Sequence, residues 1–299
     1  MRGKQAQVGL GAAVWWLVLG GLLGVLAPGS PAQTGGLGLD PGRMEVELRP
    51  GAEKTVGFEI ETPPSKPPVS GRLLLSVTDW NIKEDGSVVY TDPGNQPNSA
   101  SSWITFSPSA VTVSSGQHHL VRVTIKVPAE AQPGDYRTAL FIQERAPATP
   151  PKPGERIIYL RFRYVFTLYV LIPPLTMQGE FDGIQLQNDT SGTRLIFEMT
   201  NKGSRHLRPL AGWSIRDTSQ AEVEAAKNVE TTVLLPSAKL KESFPIEKLP
   251  PGRYEVSGQV DFQDGGPIQL IKRTVEITAP APPPSPPESK EKKAGSLAI

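Results

Sequence analysis

Short stretches of alternating apolar and polar residues, separated by turn sequences, run through most of the chain and limit what it can fold into. In residues 43–62, for example, apolar side chains alternate on both sides of a Pro-Gly turn, as in two successive strands. Turn signals recur about every 8–12 residues, and no window longer than one or two turns has a convincing helical period. Residues 220–227 come closest to a helix. This pattern predicts an all-β protein built from immunoglobulin-like β-sandwiches.

A repeated corner sequence divides the chain in two. Pro-Gly-x-Tyr occurs at 133–136 and again at 251–254, each time before an alternating stretch. A tyrosine at this place is typical of a tyrosine corner, whose hydroxyl bonds back to nearby backbone. Trp80, at the end of a strand in mid-domain, is predicted to be a core tryptophan. Further strands are predicted within the following ranges: 193–204, 211–219, 231–240 and 268–278.

The prediction is therefore two sandwiches in tandem, with a boundary near Pro173-Pro174. The N-terminal immunoglobulin-like domain spans 33–174 and the C-terminal one spans 175–278. Residues 279–299 are rich in proline and then in charge, which predicts a disordered tail that is dispensable for folding.

The first 32 residues have the features of an export signal. Arg2 and Lys4 precede a long uncharged apolar run, and Ser30-Pro31-Ala32 then offers small residues for cleavage after Ala32. Since the run is about as long as a membrane span, an uncleaved anchor is the alternative. Either way, residues from 33 onward are expected outside the cytoplasm, in the periplasm or an equivalent extracytoplasmic space.

Charge and cysteine content exclude several classes of function. The chain has 31 basic and 30 acidic side chains, a net charge of +1, so no nucleic-acid partner is predicted. It contains no cysteine, which excludes disulfides, thiolate metal sites, thiolate nucleophiles and a lipid-modified cysteine anchor.

Residues that could carry catalysis are few. The nucleophile-elbow, zinc-protease and phosphate-loop motifs are missing from the sequence. His118 and His119 are adjacent at a turn and should point to opposite faces, while His206 lies in a loop beside two arginines. We interpret all three as solvated surface residues. The sequence thus predicts no enzyme, no cofactor and no metal site.

The longest apolar strand lies at 156–172 (RIIYLRFRYVFTLYVLI), with apolar residues on both faces and no charge after Arg163. A proline-rich loop at 145–155 precedes it. One interpretation is the last strand of a sandwich, buried by its own core on one face and by the second domain on the other. The second interpretation comes from a family resemblance.

The order of short motifs in the first domain resembles the PapD-like periplasmic chaperones of pilus and fimbrial assembly. The motifs cover roughly residues 37–175 and occur in the same order as in that family, whereas the second domain matches only in position and class. They are Leu39-Asp40-Pro41-Gly42-Arg43, Asp79-Trp80, Asp85-Gly86, 99–104 (SASSWI), Phe106-Ser107-Pro108, 121–128 (VRVTIKVP), Gly134-Asp135-Tyr136-Arg137 and the long strand ending at Pro173-Pro174.

The resemblance implies donor-strand complementation, in which the chaperone lends a strand to a subunit that lacks its own last strand. It implies that alternate residues of 156–172 fill the groove of the subunit, and that the loop at 145–155 gives the strand slack to reach it. The expected subunit-binding residues are Ile158, Leu160, Phe162 and Tyr164. Arg161 and Arg163 would face water and discourage self-association.

The family also holds the C-terminal carboxylate of a subunit between two basic residues. Arg43 matches the first by its place in the opening motif, with a solvated arginine as the alternative. The second is missing, because Thr167, Leu168 and Tyr169 stand where the family has lysine.

The resemblance therefore implies an exported chaperone for β-rich surface or pilus-type subunits. Its partners would be the subunit and an outer-membrane assembly protein. A non-catalytic scaffold of immunoglobulin-like domains in the cell envelope is the alternative from a different class of function.

Overall fold

A computed structural model of the chain describes residues 36–66, 70–144, 162–189 and 192–277. The expectations for residues 1–32 and for the tail from 279 lie outside these ranges, as do Ile158, Leu160 and Arg161.

The described residues form seventeen strands and one short 3-10 turn, η1, at Ser101–Trp103. The strands are β1 Gly38–Asp40, β2 Arg43–Glu47, β3 Glu53–Glu61, β4 Ser70–Ile82, β5 Val88–Thr91, β6 Ile104–Ser107, β7 Ala110–Ser114, β8 His118–Lys126, β9 Gly134–Glu144, β10 Arg163–Ile172, β11 Gly179–Asp189, β12 Gly192–Asn201, β13 Leu210–Arg216, β14 Glu222–Glu230, β15 Lys239–Ile246, β16 Gly252–Asp261 and β17 Gln269–Ile277.

Strands β1 to β10 form the first sandwich. One sheet has the order β1-β3-β8-β6, and the other has the order β2-β10-β9-β4-β5 with β7 beside β4. Alternate side chains of both sheets meet in one core, because successive residues of a strand point to opposite faces. At its centre, the rings of Phe58 on β3 and Phe166 on β10 stack with centroids 4.1 Å apart.

Strands β11 to β17 form the second sandwich, from a sheet of order β11-β12-β15 and one of order β14-β13-β16-β17. Aromatic side chains of both sheets fill its core, including Phe181, Phe197, Trp213 and Phe244. The predicted fold class, all-β with two sandwiches in tandem, is confirmed. In the part of the chain that the structure describes, no helix has the length and hydropathy needed to cross a bilayer.

Both predicted tyrosine corners are present. The Tyr136 hydroxyl donates to the carbonyl of Gln132 over 3.1 Å, and the Tyr254 hydroxyl donates to the carbonyl of Pro250 over 2.8 Å. In each case the acceptor lies four residues upstream, so the bond fixes the turn that precedes the strand.

We expect Tyr254→Phe to lower the free energy of unfolding by about 1 kcal/mol, because it leaves a carbonyl without its hydroxyl donor. Tyr136→Phe should cost less, since Tyr136 is only half-buried and its bond is longer. Chemical denaturation of both variants checks this order, and equal stability of all three proteins would contradict it.

Two local predictions are wrong. In the stretch at 231–240, residues 231–238 are a loop with one isolated bridge between Leu207 and Leu234, and only Lys239 and Leu240 belong to a strand, β15. Pro236 interrupts it, and Leu234 and Leu235 are apolar because they are buried in two different clusters. Trp80 is buried as expected, but on the outer face of its sheet and not in the sandwich core. The helix-like stretch at 220–227 belongs mostly to strand β14.

Candidate functional site

Strand β10 presents two rows of side chains with different surroundings. The inner row belongs to the first core and consists of Phe166, Leu168, Val170 and Ile172. The outer row, Val165, Thr167, Tyr169 and Leu171, lies on the opposite face of the six-stranded sheet, and its last two members are fully buried. From Phe166 onward, β10 is therefore a core strand with both faces covered.

The start of β10 differs. Phe162 is 62% exposed and Tyr164 is half-buried, although both continue the inner row by the alternation of the strand. The Tyr164 hydroxyl accepts a hydrogen bond from the backbone N–H of Leu37 over 2.9 Å. Strand β2 pairs in parallel only with Thr167 to Leu171. Among the described strands, residues 163–166 thus have β9 as their single ladder partner.

An apolar cluster on the outer face joins the two sandwiches. Trp80, Ala139, Tyr169 and Leu171 of the first sandwich pack with Leu235 of the second. The rings of Trp80 and Tyr169 meet edge to face at 5.7 Å. This contact accounts for the burial of Trp80 outside its own core.

A polar cluster completes the same junction. The loop between β12 and β13 brings Arg205, His206 and Arg208 against Glu45 of β2 and Asp135 of β9. We refer to these five residues as the His206 cluster. The loop is tied down because Ser204 and Arg205 donate backbone hydrogen bonds to the carbonyl of Thr176. Glycine is required at 203, since a Cβ there would lie 2.4 Å from that carbonyl oxygen.

His206 is the centre of this cluster. Its ring Nδ1 and its backbone N–H both lie 2.6 Å from Asp135 Oδ2, and its ring Nε2 lies 3.0 Å from Glu45 Oε1. The Tyr169 ring stacks on the imidazole at 4.1 Å. His206 is only 4% exposed and Asp135 only 1%. The prediction of a solvated His206 is wrong, because this loop is covered by the first sandwich.

The charges of the cluster stabilise one another. Burial lowers the pKa of His206, but hydrogen bonds and charge interactions with Asp135 and Glu45 outweigh it and raise that pKa above its ordinary value. The hydrogen bond from His206, with help from the two arginines, lowers the pKa of Glu45 to about 2. Burial raises the pKa of the Tyr169 hydroxyl to about 12. With carboxylates facing both ring nitrogens, His206 is held as the doubly protonated imidazolium.

The predicted anchor residue Arg43 lies exposed at the start of β2, next to Thr167 in the parallel ladder. The outer face of β2 continues through Glu45, so Arg43 borders the His206 cluster. Sequence reasoning missed Arg208, whose guanidinium carbon lies 5.5 Å from the Tyr169 ring centroid.

The other two histidines lie far from this junction along the chain. His118 is exposed at the start of β8, with its Nδ1 3.5 Å from Glu59 and 3.6 Å from Glu61. The three side chains could approach a cation, but all are at least partly open to solvent, and exposed acidic groups commonly lie together without one.

No family model and no curated protein matches the chain. Many solved structures do. The chain is similar to fimbrial chaperones. A chain of a chaperone–tip adhesin complex of CFA/I fimbriae is 10% identical, with a TM-score of 0.41 over 82% of this chain and 100% of that one. A chain of the CsuC–CsuE chaperone–tip adhesin pre-assembly complex of Csu pili from Acinetobacter baumannii is 16% identical, with a TM-score of 0.41 over 79% and 97%. The Pseudomonas aeruginosa CupB2 chaperone is 12% identical, with a TM-score of 0.37 over 77% and 97%.

Proposed function

We propose that this protein is an exported, non-catalytic chaperone for immature β-rich surface subunits of the pilus or fimbria type. It would act in the periplasm or an equivalent space and pass its subunits to an outer-membrane assembly protein. The capture step would be donor-strand complementation through Ile158, Leu160, Phe162 and Tyr164.

The exposure of Phe162 carries the proposal. This ring belongs to the row of side chains that faces the core of the first sandwich, but it lies beyond the end of that core and is not buried in it. A subunit that lacks a strand exposes both an apolar groove and a row of unpaired backbone groups. The start of β10 offers apolar side chains at every second position and one ladder edge that β2 does not cover.

Arg43 belongs to the same proposal as the anchor for a carboxylate of the subunit. It is exposed at the start of β2 and adjacent to the free part of β10. A charge-assisted hydrogen bond from its guanidinium would fix the end of a bound chain relative to the donor strand.

The test is the substitution Phe162→Asp, followed by co-purification of exported partners and by thermal unfolding. A carboxylate forced into an apolar groove costs several kcal/mol, so capture should fall by at least about a hundredfold. The melting temperature of the free protein should change little, because the ring is already exposed. Ile268→Asp is the matched control, since Ile268 is 58% exposed on the second sandwich.

A static scaffold is the second candidate, favoured by the part of β10 from Phe166 onward, where both faces are buried. A scaffold would keep its partners after Phe162→Asp. That result, with the protein still folded, would contradict the chaperone proposal and support the scaffold.

A further inference from the structure

The first residues of β10 have less support from the rest of the sheet than those that follow. Residues 167–171 lie between β2 and β9, whereas 163–166 have only β9 beside them among the described strands. Phe162, the residue before them, is 62% exposed and buries little of its ring. Such strand ends open with free energies near zero unless further contacts hold them. A donor row that begins at this end therefore needs side-chain contacts to stay extended.

Arg163 makes two such contacts on the outer face of the sheet. It is exposed, yet its guanidinium carbon lies 4.2 Å from the centroid of the Phe141 ring on β9. Its Nε donates to the side-chain oxygen of Gln143 over 3.2 Å. Gln143 is the direct ladder partner of Arg163, and Phe141, two residues away on β9, is the diagonal one. The stacking and the hydrogen bond together hold the backbone at 163 against β9.

Phe141 in turn contacts a strand beyond its own neighbours. Its ring meets the Tyr90 ring on β5 at 4.8 Å, with an angle of 61° between the two planes. Since these strands have the order β10-β9-β4-β5, Arg163, Phe141 and Tyr90 form a continuous line of contacts across four strands. The start of β10 is thereby connected to the far edge of its sheet.

The opposite face of the same strand end contacts the N-terminal segment. The Tyr164 hydroxyl accepts its hydrogen bond from the backbone N–H of Leu37, and both side chains pack against the first core. Successive residues of a strand point to opposite faces, so 163 and 164 are held from both sides. Phe162 precedes them directly and is left in solvent. The strand end is thus ordered while one apolar ring next to it stays accessible.

The geometry points to Arg163 as a positioning residue for the proposed donor strand. It holds the start of β10 extended against β9, so that Phe162 continues the core-facing row before any partner arrives. A segment that is ordered before binding loses less conformational freedom on binding, and its affinity is higher for that reason. The inference rests on the proposed function, since only a strand that is lent to a partner gains affinity in this way.

Discouraging self-association is a simpler role for an arginine at a sheet edge. That role needs the positive charge alone, and lysine would fill it equally well. The positioning role needs the flat guanidinium, which stacks on a ring and donates a hydrogen bond at the same time. Arg163→Lys therefore separates the two roles.

Hydrogen exchange on the millisecond timescale tests whether Arg163 orders the strand end. We expect Arg163→Ala to raise the equilibrium constant for opening at the amides of 163–166 about tenfold, and Arg163→Lys to show most of that increase. The amides of 167–171, which β2 also covers, should keep their protection, and the melting temperature should change little. Arg122→Ala is the matched control, because it removes an exposed arginine from β8 in the other sheet. Unchanged exchange at 163–166 in Arg163→Ala, or full protection in Arg163→Lys, would overturn the inference.

The binding step is measured by surface plasmon resonance, with the exported partner that co-purifies with the unmodified protein as the immobilised probe. Arg163→Ala should lower the association rate about threefold or more, because only the ordered fraction of the protein can bind. The dissociation rate should change little, since the strand is already seated in the complex. Faster dissociation with an unchanged association rate would mean that Arg163 contacts the partner directly, and the positioning role would be wrong.

The two proposals fail in different ways. If Phe162→Asp abolishes capture while Arg163→Ala alters neither exchange nor association, the chaperone function stands and Arg163 has no positioning role. If capture survives Phe162→Asp, the donor-strand function is wrong, and any order that Arg163 supplies to 163–166 belongs to the fold alone.

Discussion

Replacing His206 with alanine should lower the free energy of unfolding by about 3–5 kcal/mol, because the buried carboxylate of Asp135 loses the imidazolium and keeps only the backbone N–H of residue 206. Glu45 would lose its bond to the ring at the same time. The loss should be visible in urea or guanidinium unfolding at pH 6. His118→Ala is the matched control and should change stability by less than about 0.5 kcal/mol, since His118 is exposed. A loss below about 1 kcal/mol for His206→Ala would mean that the cluster does not hold the two sandwiches together.

The same cluster predicts how stability depends on pH. Folding raises the pKa of His206 above the 6.5 of the unfolded chain. The stability that His206 contributes is therefore complete below pH 6.5 and is lost as the pH rises through the folded-state pKa. Folding lowers the pKa of Glu45 from 4.5 to about 2. The stability that Glu45 contributes is therefore complete above pH 4.5 and is lost as the pH falls toward 2. The cluster should therefore stabilise the protein most between about pH 5 and 6.5.

The Tyr169 hydroxyl at the junction does not change this window, because its pKa is raised to about 12 and it stays neutral throughout. The difference in unfolding free energy between the unmodified protein and His206→Ala should therefore fall on both the acid and the alkaline side. A difference that is constant from pH 4 to pH 9 would contradict the charged state of His206.

Much of the fold follows from short-range sequence signals. The period of two in 43–62 and 120–128 predicts strands because alternate side chains must enter a core. The two Pro-Gly-x-Tyr segments predict corners because the hydroxyl reaches a carbonyl only four residues away. These signals depend only on residues that are close together in the chain, so they can be recognised in a single sequence.

The candidate site depends on contacts that no local pattern encodes. Asp135 and His206 are 71 residues apart in the sequence, and each belongs to a segment that would be solvated in an isolated sandwich. The burial of Trp80 and Leu235 has the same origin, since each covers the other across the junction. The sequence of 205–208, in which two arginines flank a histidine and a leucine, was a clue to a buried polar cluster. That loop is buried, however, only because the first sandwich packs against it.

The long apolar strand shows a related limit. One row of its side chains is apolar all the way from Ile158 to Ile172, so alternation alone does not reveal where burial ends. In the structure the transition falls between exposed Phe162 and buried Phe166, which belong to the same row and are four positions apart in the chain. The two interpretations of this strand therefore apply to different parts of it, the core strand from Phe166 onward and the proposed donor strand before it.

That transition gives the second large effect, since the same substitution at two positions of one row should cause a large loss of stability at one and almost none at the other. Phe166 is 1% exposed and stacks on Phe58, so Phe166→Ala removes a ring from the centre of the first core and should cost about 3–5 kcal/mol. Phe162→Ala should cost less than about 0.5 kcal/mol, because its ring is mostly in water already. Unfolding curves of the two variants measure this directly.

Subunit capture should depend on these two residues in the reverse order, with a direct effect at Phe162 and only an indirect one at Phe166. Phe162→Ala should weaken capture by a protein that is as stable as the parent, since the lost ring would belong to the groove of the partner. Phe166→Ala should weaken capture only in proportion to the fraction of protein that is unfolded. If Phe162→Ala instead destabilised the free protein by several kcal/mol, the start of β10 would be part of the domain's own core. The strand would then have no free apolar residues at this end to lend.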